Sequence, residues 1–138
     1  MGKRVVVVGA TGAVGENFIS ILQQRDFPIS KIKFVASARS AGRKVAFKGR
    51  EYTIEGLSDT TFDDGWDIAL FSIPKAMSRK FSPIAASKGC IVVDNSNAFR
   101  MEADVPLVVP EVNGDDVTKA SRGIIANPNC STIGMVVA

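Results

Sequence analysis

The chain contains no histidine. Within these residues that excludes any mechanism resting on an imidazole base, and it removes the commonest zinc ligand. Only two cysteines occur, Cys90 and Cys130. They lack metal-ligand spacing, so no metal is expected, and a reduced, cytoplasmic setting is the default. No apolar run is long enough to span a membrane. Lys3-Arg4 ahead of Val5–Val8 imitates the opening of a signal peptide, but the run breaks at once into glycines. Met1-Gly2 begins like a myristoylation signal, yet Val6 stands where Ser or Thr is needed. Lys and Arg total 17 against 14 Asp and Glu, a net charge of +3 scattered along the chain without interleaved aromatics. That argues against a nucleic-acid partner and suits a small anion. There is no internal repeat and no low-complexity linker. With 138 residues, 46% of them hydrophobic and 22% charged, one globular domain with a substantial core is expected.

The most informative stretch is Val5 to Gly15, Val-Val-Val-Val-Gly-Ala-Thr-Gly-Ala-Val-Gly. Four β-branched residues in a row read as a strand buried on both faces, as in a parallel sheet. A turn with Gly9, Gly12 and Gly15 follows, and then an amphipathic helical pattern. Strand, glycine turn and helix N-terminus make an anion site. Gly9 permits the sharp turn, Gly12 lets backbone approach a pyrophosphate, and Gly15 lets helix pack on strand. The free N–H groups of the first helical turn, on Ala13, Val14 and Gly15, then face the phosphates. The spacing Gly-x-x-Gly-x-x-Gly is a variant of the usual fingerprint and alone is weak; a glycine-rich loop without a ligand is the alternative.

The first helix is expected from Val14 to about Arg25, with Val14, Phe18, Ile21 and Leu22 facing the sheet. Lys31–Ala38 reads as the second strand. The loop after it, Ser37 to Gly42, lies where the adenosine ribose meets this kind of fold. It carries no acid to bond a 2′-hydroxyl; it carries Arg39 with Ser37 and Ser40, which suit a 2′-phosphate. NADP(H) is therefore expected over NAD, the alternative being an ordinary polar loop with a solvated arginine. Val45–Phe47 and Glu51–Glu55 form a hairpin around Lys48-Gly49-Arg50. Leu57–Gly65 is a connection or short helix, and Asp67–Ile73 a buried strand. A helix from Pro74 to about Lys88 puts Met77, Phe81, Ile84 and Ala85 on a core-facing stripe, with Pro83 kinking or restarting it and Ser82 able to cap. Cys90–Asp94 is another strand, with Cys90 packed as a small hydrophobe. Leu107–Val109 and Gly123–Ala126 are two further short strands. Strands alternating with helices give an α/β, doubly wound, Rossmann-like and mostly parallel sheet with helices on both faces.

Asn127-Pro128-Asn129-Cys130-Ser131-Thr132 follows the last strand directly, and Ile133–Ala138 opens an apolar helix. Cys130 thus falls at a helix N-terminus, a position that favours thiolate over thiol. A thiolate there attacks an acyl carbon, and nearby N–H groups hold the resulting oxyanion. By mechanism alone a nucleophile and a buried, inert cysteine are equally good readings. The apolar run continues to Ala138, which reads as the N-terminal piece of a longer protein. Residues 1–126 are expected to form the dinucleotide-binding domain. Residues 127–138 hold the nucleophile motif and the start of a helix leading into a second domain.

Five segments occur in order: Gly9–Gly15, Ser37–Gly42, Asp94–Met101 (Asp-Asn-Ser-Asn-Ala-Phe-Arg-Met), Val109–Asn113 and Asn127–Thr132. Together they closely resemble the cofactor-binding half of bacterial-type aspartate-semialdehyde dehydrogenase, over essentially the whole chain. The resemblance implies a Rossmann domain followed by an α+β domain carrying the interface of a homodimer or homotetramer. It implies NADPH-dependent reductive dephosphorylation of L-aspartyl 4-phosphate to L-aspartate 4-semialdehyde and phosphate, in lysine, methionine and threonine synthesis. Thr11, Gly12, Ala13 and Val14 match the cofactor-phosphate turn, Arg39 and Ser40 the 2′-phosphate contacts, and Ser72 a further cofactor position. Arg100 matches an arginine that binds the substrate phosphate. Cys130 matches the nucleophile that forms an acyl-thioester, and Asn129 a residue that helps position the acyl group. Where the family often has Ser-Ala-Gly-Gly, this chain has Ser72-Ile73-Pro74-Lys75, and Pro74 removes an N–H donor. Asn97 stands where serine is more usual. The family's acid–base histidine and carboxylate-binding arginine fall beyond residue 138, so the chain alone is expected to show no meaningful turnover.

Two other enzyme families share parts of this pattern. N-acetyl-γ-glutamyl-phosphate reductase runs the same chemistry but carries its nucleophile in a Pro-Gly-Cys context, against Pro128-Asn129-Cys130 here. Short-chain dehydrogenases need Tyr-x-x-x-Lys, and the residue four after the lone Tyr52 is Gly56. From a different class, a non-catalytic dinucleotide-binding module would leave Cys130 structural and unreactive.

Overall fold

A computed structural model describes residues 2–138. Strand β1 (Lys3–Val8) leads into helix α1 (Ala13–Gln24), β2 (Ile29–Ala36), the hairpin β3 (Lys44–Phe47) and β4 (Arg50–Thr53), and the short β5 (Glu55–Gly56). Strand β6 (Ile68–Phe71), helix α2 (Lys75–Ser87), β7 (Ile91–Asp94), the one-turn α3 (Pro110–Asn113), β8 (Ile124–Ala126) and α4 (Cys130–Val137) complete the chain. Six strands form one sheet in the order β5-β2-β1-β6-β7-β8, and every neighbouring pair is parallel. The order reverses direction at β1: the chain moves outward to β2 and β5, then returns to β6 on the other side of β1. That reversal opens a crevice beyond the carboxyl ends of β1 and β6, where doubly wound sheets bind ligands.

Val5 to Val8 are all at most 1% exposed, because alternate residues point into two separate cores. Val5 and Val7 pack with Ile19, Phe18 and Leu22 of α1 and with Phe34 and Phe47. Val6 and Val8 pack with Phe81 and Ala85 of α2 and with Phe62, Phe71 and Phe99. Helices thus cover both faces, and each buried valine contributes roughly 1.5–3 kcal/mol. Among the described residues no helix is long and apolar enough to cross a membrane.

The structure departs from the sequence expectations in five places. Helix α1 faces the sheet through Gly15, Phe18, Ile19 and Leu22, and Ile21 is half exposed. A scan for apolar residues overlooks Gly15, so the stripe it finds is rotated. Helix α2 runs through Pro83 without restarting: the proline lies on the exposed side, and Ser82 is buried against Ser78 instead of capping. Met77, expected in the core, is exposed at the rim of the crevice. The second hairpin strand ends at Thr53; buried Ile54 is a pivot, and Glu55–Gly56 cross over to pair with Val35–Ala36 of β2. Leu107–Val109 is a single bridge to Ala126 and not a strand. Pro110, which has no N–H to donate, starts α3, and a 3₁₀ turn over Gly114–Lys119 follows.

Candidate functional site

The glycine turn leaves β1 with Gly9 at φ +94°. A Cβ on Gly9 would stand 2.1 Å from the Ser72 carbonyl oxygen, and one on Gly15 would stand 1.9 Å from that of Gly9. The fold itself therefore demands both glycines. Gly12 differs: a Cβ there would meet nothing nearer than the Gly9 carbonyl oxygen, at 3.6 Å. Its backbone (φ −81°, ψ 165°) is open to any residue, and it caps α1 with no side chain. The space beside Gly12 is empty of protein and lies against a helix N-terminus. Among the described residues the amides of Ala13, Val14 and Gly15 find no backbone acceptor. Such a cradle fits a phosphate.

The crevice beside it has a volume of about 260 Å³. Its floor is Val8, Gly9, Thr11 and Gly12; one side is Ala36, Ser37 and Leu57, the other Ser72, Ile73, Pro74 and Met77. The Ser72 amide is committed to the Val8 carbonyl at 2.9 Å. Ile73 and Pro74, where the backbone offers fewer donors, form an apolar wall with Met77 and Leu57. Past β2, Ala38–Ser40 makes a 3₁₀ turn. Its Arg39 is exposed, and among the described residues it has no hydrogen-bond or ion-pair partner; Ser40 is half-buried beside it.

The second half of the site forms at the ends of β7 and β8. Asp94, fully buried, accepts from Ser78 Oγ at 2.8 Å, and from the amide and hydroxyl of Ser96, both at 2.9 Å. Ser82 extends this cluster through Ser78 at 2.9 Å. The bond from the Ser96 amide closes an Asx turn that swings the chain off the sheet. Arg100 then folds back over the strand ends. Its Nε donates to the Asn127 carbonyl at 2.8 Å and its Nη2 to the Asn95 carbonyl at 3.0 Å. The Asn127 amide Nδ2 donates in turn to Asn95 Oδ1 at 2.5 Å.

Three residues beyond Asn127, Cys130 is the first residue of α4, and it is exposed. Asn129 caps that helix: its Oδ1 accepts from the Ser131 amide at 2.9 Å. The cap uses the side-chain oxygen, and among the described residues the Nδ2 donor makes no hydrogen bond. Among the described residues the amides of Cys130 and Thr132 find no acceptor. Cys90 has the opposite surroundings. It is 1% exposed, its thiol donates to the Trp66 carbonyl at 3.3 Å, and burial pushes its pKa up to about 11, with Asp67 adding to the shift and Arg4 opposing it.

Because every strand of the sheet is parallel, all of these groups stand on its carboxyl edge. Gly9, Thr11, Gly12, Ala13, Val14, Gly15 and Ser72 gather around β1 and β6, with Arg39 and Ser40 beyond β2. Asn129, Cys130 and Arg100 gather at β7 and β8. Strand β8 is three places from β1, or about 14 Å at ordinary strand spacing. Residue-by-residue reading of the sequence missed Asn95, Asn127, Asp94, Leu57 and Met77. Asn95 and Asp94 lie inside the segment already singled out for Arg100, and Asn127 opens the Asn-Pro-Asn-Cys segment, so position within those motifs was the available signal.

Residues 4–120 match the family described as semialdehyde dehydrogenase, NAD binding domain. The chain is similar to the aspartate-semialdehyde dehydrogenase of Aquifex aeolicus, with 52% identity over the whole of this chain and 41% of that protein. It superposes on aspartate semialdehyde dehydrogenase II of Vibrio cholerae, solved in complex with ASA, with a TM-score of 0.92 and 42% identity, over 99% of this chain and 45% of that one. It also superposes on the Candida albicans aspartate semialdehyde dehydrogenase solved with NADP, with a TM-score of 0.77 and 27% identity, over 99% and 45% respectively. The chain spans about two fifths of the length of the curated relatives it matches, 41%, 40% and 39% of three of them.

Proposed function

Given that the chain belongs to the semialdehyde dehydrogenase family through its NAD-binding domain, we propose that it is the cofactor-binding and nucleophile-bearing part of an aspartate-semialdehyde dehydrogenase. The whole protein converts L-aspartyl 4-phosphate and NADPH to L-aspartate 4-semialdehyde, NADP and phosphate. One observation carries this reading. An exposed thiol at the first residue of α4 shares a sheet edge with the open space at Gly12, and a guanidinium bound on one side lies at the ends of β7 and β8.

Thr11, Gly12, Ala13 and Val14 hold the cofactor pyrophosphate, on free amides and in the space a Cβ at Gly12 would fill. Leu57, Ile73, Pro74 and Met77 give the flat adenine ring an apolar slot. Arg39 and Ser40 take the 2′-phosphate, which selects NADP over NAD because the loop has no acid to repel it. When bound, the nicotinamide supplies a hydride to the acyl carbon. The chain's own groups do the rest. Arg100 grips the phosphate of the acyl phosphate and orients its carbonyl toward Cys130. The Cys130 thiolate forms a C–S bond, the C–O bond to phosphate breaks, and phosphate leaves with the electron pair. The amides of Cys130 and Thr132 and the Asn129 Nδ2 donor stabilise the oxyanion of the tetrahedral intermediate.

The test is acylation of the 138-residue chain by L-aspartyl 4-phosphate, followed by intact-mass spectrometry. The expected product is a single aspartyl thioester on Cys130 with one equivalent of phosphate released, absent in Cys130→Ser. An unmodified parent chain, or an adduct that persists in Cys130→Ser, overturns the assignment. Continuous NADPH formation from semialdehyde, NADP and phosphate by this chain alone would show that the acid–base group lies within it.

A further inference from the structure

Arg100 is held in an unusual way for a residue that must bind an anion. A guanidinium has two edges that can each grip an oxyanion with parallel N–H bonds. Here the edge made by Nε and Nη2 is already spent, on the carbonyls of Asn127 at 2.8 Å and Asn95 at 3.0 Å. Those carbonyls lie just past the ends of different strands. Asn95 follows β7, with its amide on the Phe71 carbonyl, and Asn127 follows β8, with its amide on the Asp94 carbonyl, each at 2.8–2.9 Å. Their separation is fixed by the bond from Asn127 Nδ2 to Asn95 Oδ1, at 2.5 Å. Two asparagines and one arginine therefore form a closed ring of hydrogen bonds. Nη1 makes no hydrogen bond to a described residue and is left on the outer edge with the second Nη2 hydrogen.

We propose that Asn95 and Asn127 are positioning residues for phosphate recognition. The amide–amide bond sets the spacing of two carbonyls, the carbonyls fix the guanidinium plane, and the plane presents the Nη1–Nη2 edge to a phosphate already oriented. This rests on the assignment of Arg100 as a phosphate ligand, and it explains what that assignment leaves open: how a long, flexible side chain binds without a large ordering cost. No carboxylate takes part in the ring, so the positive charge is not neutralised before the anion arrives. A carboxylate in place of the two carbonyls would hold the guanidinium as firmly and cancel the attraction.

Inorganic phosphate is titrated into the ¹⁵N-labelled 138-residue chain and followed by the backbone amides of residues 100 and 130–132. Hydrogen exchange of the Arg100 Nε–H is measured in parallel. Asn95→Ala and Asn127→Ala are each expected to weaken phosphate binding about fivefold to tenfold. Each should speed Nε–H exchange by about tenfold or more, with NADP affinity unchanged and the melting temperature lowered by no more than about 5 °C. Asn95→Asp keeps an Oδ acceptor for Asn127 and should restore slow exchange, whereas Asn95→Leu, which fills the same space without an acceptor, should leave exchange fast. If both alanine variants keep phosphate affinity and Nε–H exchange within twofold of the parent while Arg100→Ala loses phosphate, the positioning role is wrong and the Arg100 assignment stands. If Arg100→Ala binds phosphate like the parent, or the parent shows no response to phosphate, the underlying assignment fails and the positioning role with it.

Discussion

Replacing Gly12 and Gly15 by alanine should separate what the fold needs from what a ligand needs. At Gly15 the new Cβ would lie 1.9 Å from the Gly9 carbonyl oxygen, 2.8 Å from its carbon and 3.0 Å from the Ala10 Cα. All three are backbone atoms, so nothing yields unless the turn moves. A cost above about 3 kcal/mol follows, the upper range for overpacking. At this chain length that is a fall in melting temperature of more than about 10 °C. At Gly12 the nearest atom is 3.6 Å away and the backbone already suits alanine. A slightly poorer helix cap is offset by a less flexible unfolded chain, so the net change stays within about 1 kcal/mol, or under about 5 °C. Cofactor binding should respond in the opposite order of subtlety. A methyl at Gly12 keeps the pyrophosphate off the amides of Ala13 and Val14. Losing two charge-assisted hydrogen bonds, each about 1.5 kcal/mol, weakens NADP roughly hundredfold. Thermal unfolding by circular dichroism and NADP titration by calorimetry, on both variants, are the assays. A folded Gly12→Ala variant that binds NADP within threefold of the parent would refute the cradle, and one that unfolds like Gly15→Ala would refute the steric reading.

Four further outcomes are expected. Arg39→Ala should lower NADP affinity tenfold or more with little change for NAD, since it removes a charge-assisted bond that only the 2′-phosphate makes; equal losses for both cofactors would contradict this. Asp94→Ala should destabilise the chain by about 2–4 kcal/mol, because it strands the buried Ser78 and Ser82 hydroxyls and the Ser96 turn; urea denaturation reads this directly. The raised pKa of Cys90 means that its contribution to stability is fully present below pH 9.0, the ordinary thiol value, and is lost as pH rises toward about 11. Cys90→Ala should flatten that alkaline decline in a pH series of melting temperatures. Against an alkylating agent at neutral pH, native Cys90 should stay unmodified while exposed Cys130 reacts.

The elements closest to the site were the most legible in the sequence, because local chemistry alone decides them. Four valines followed by three glycines specify a buried parallel strand and a tight turn into a helix. The Asn-Pro-Asn-Cys segment after the last strand puts Cys130 at a helix N-terminus, and the structure has it as the first residue of α4. Legibility fails where long-range packing decides. Ile54 leaves the hairpin to be buried, a choice set by Phe34 and Phe47 across the core and not by its neighbours in sequence. Ser82 reads as a cap because it precedes a proline, yet a buried hydroxyl needs a partner and Ser78 supplies it from within the helix. Met77 reads as core by its helical spacing, but α2 begins at the crevice, so its first turn lines the crevice rim. The Asn95–Asn127–Arg100 ring joins residues 5 to 32 apart, and only the parallel pairing of β7 with β8 brings them together.

If one site holds both the dinucleotide and the reactive thiol, NADP must alter the rate at which Cys130 is alkylated, and that rate is measured as a function of NADP concentration. A saturable change in that rate is expected, with a midpoint equal to the NADP dissociation constant measured by calorimetry, lost in Gly12→Ala and absent for Cys90. A Cys130 rate that stays constant while NADP saturates the chain would contradict it.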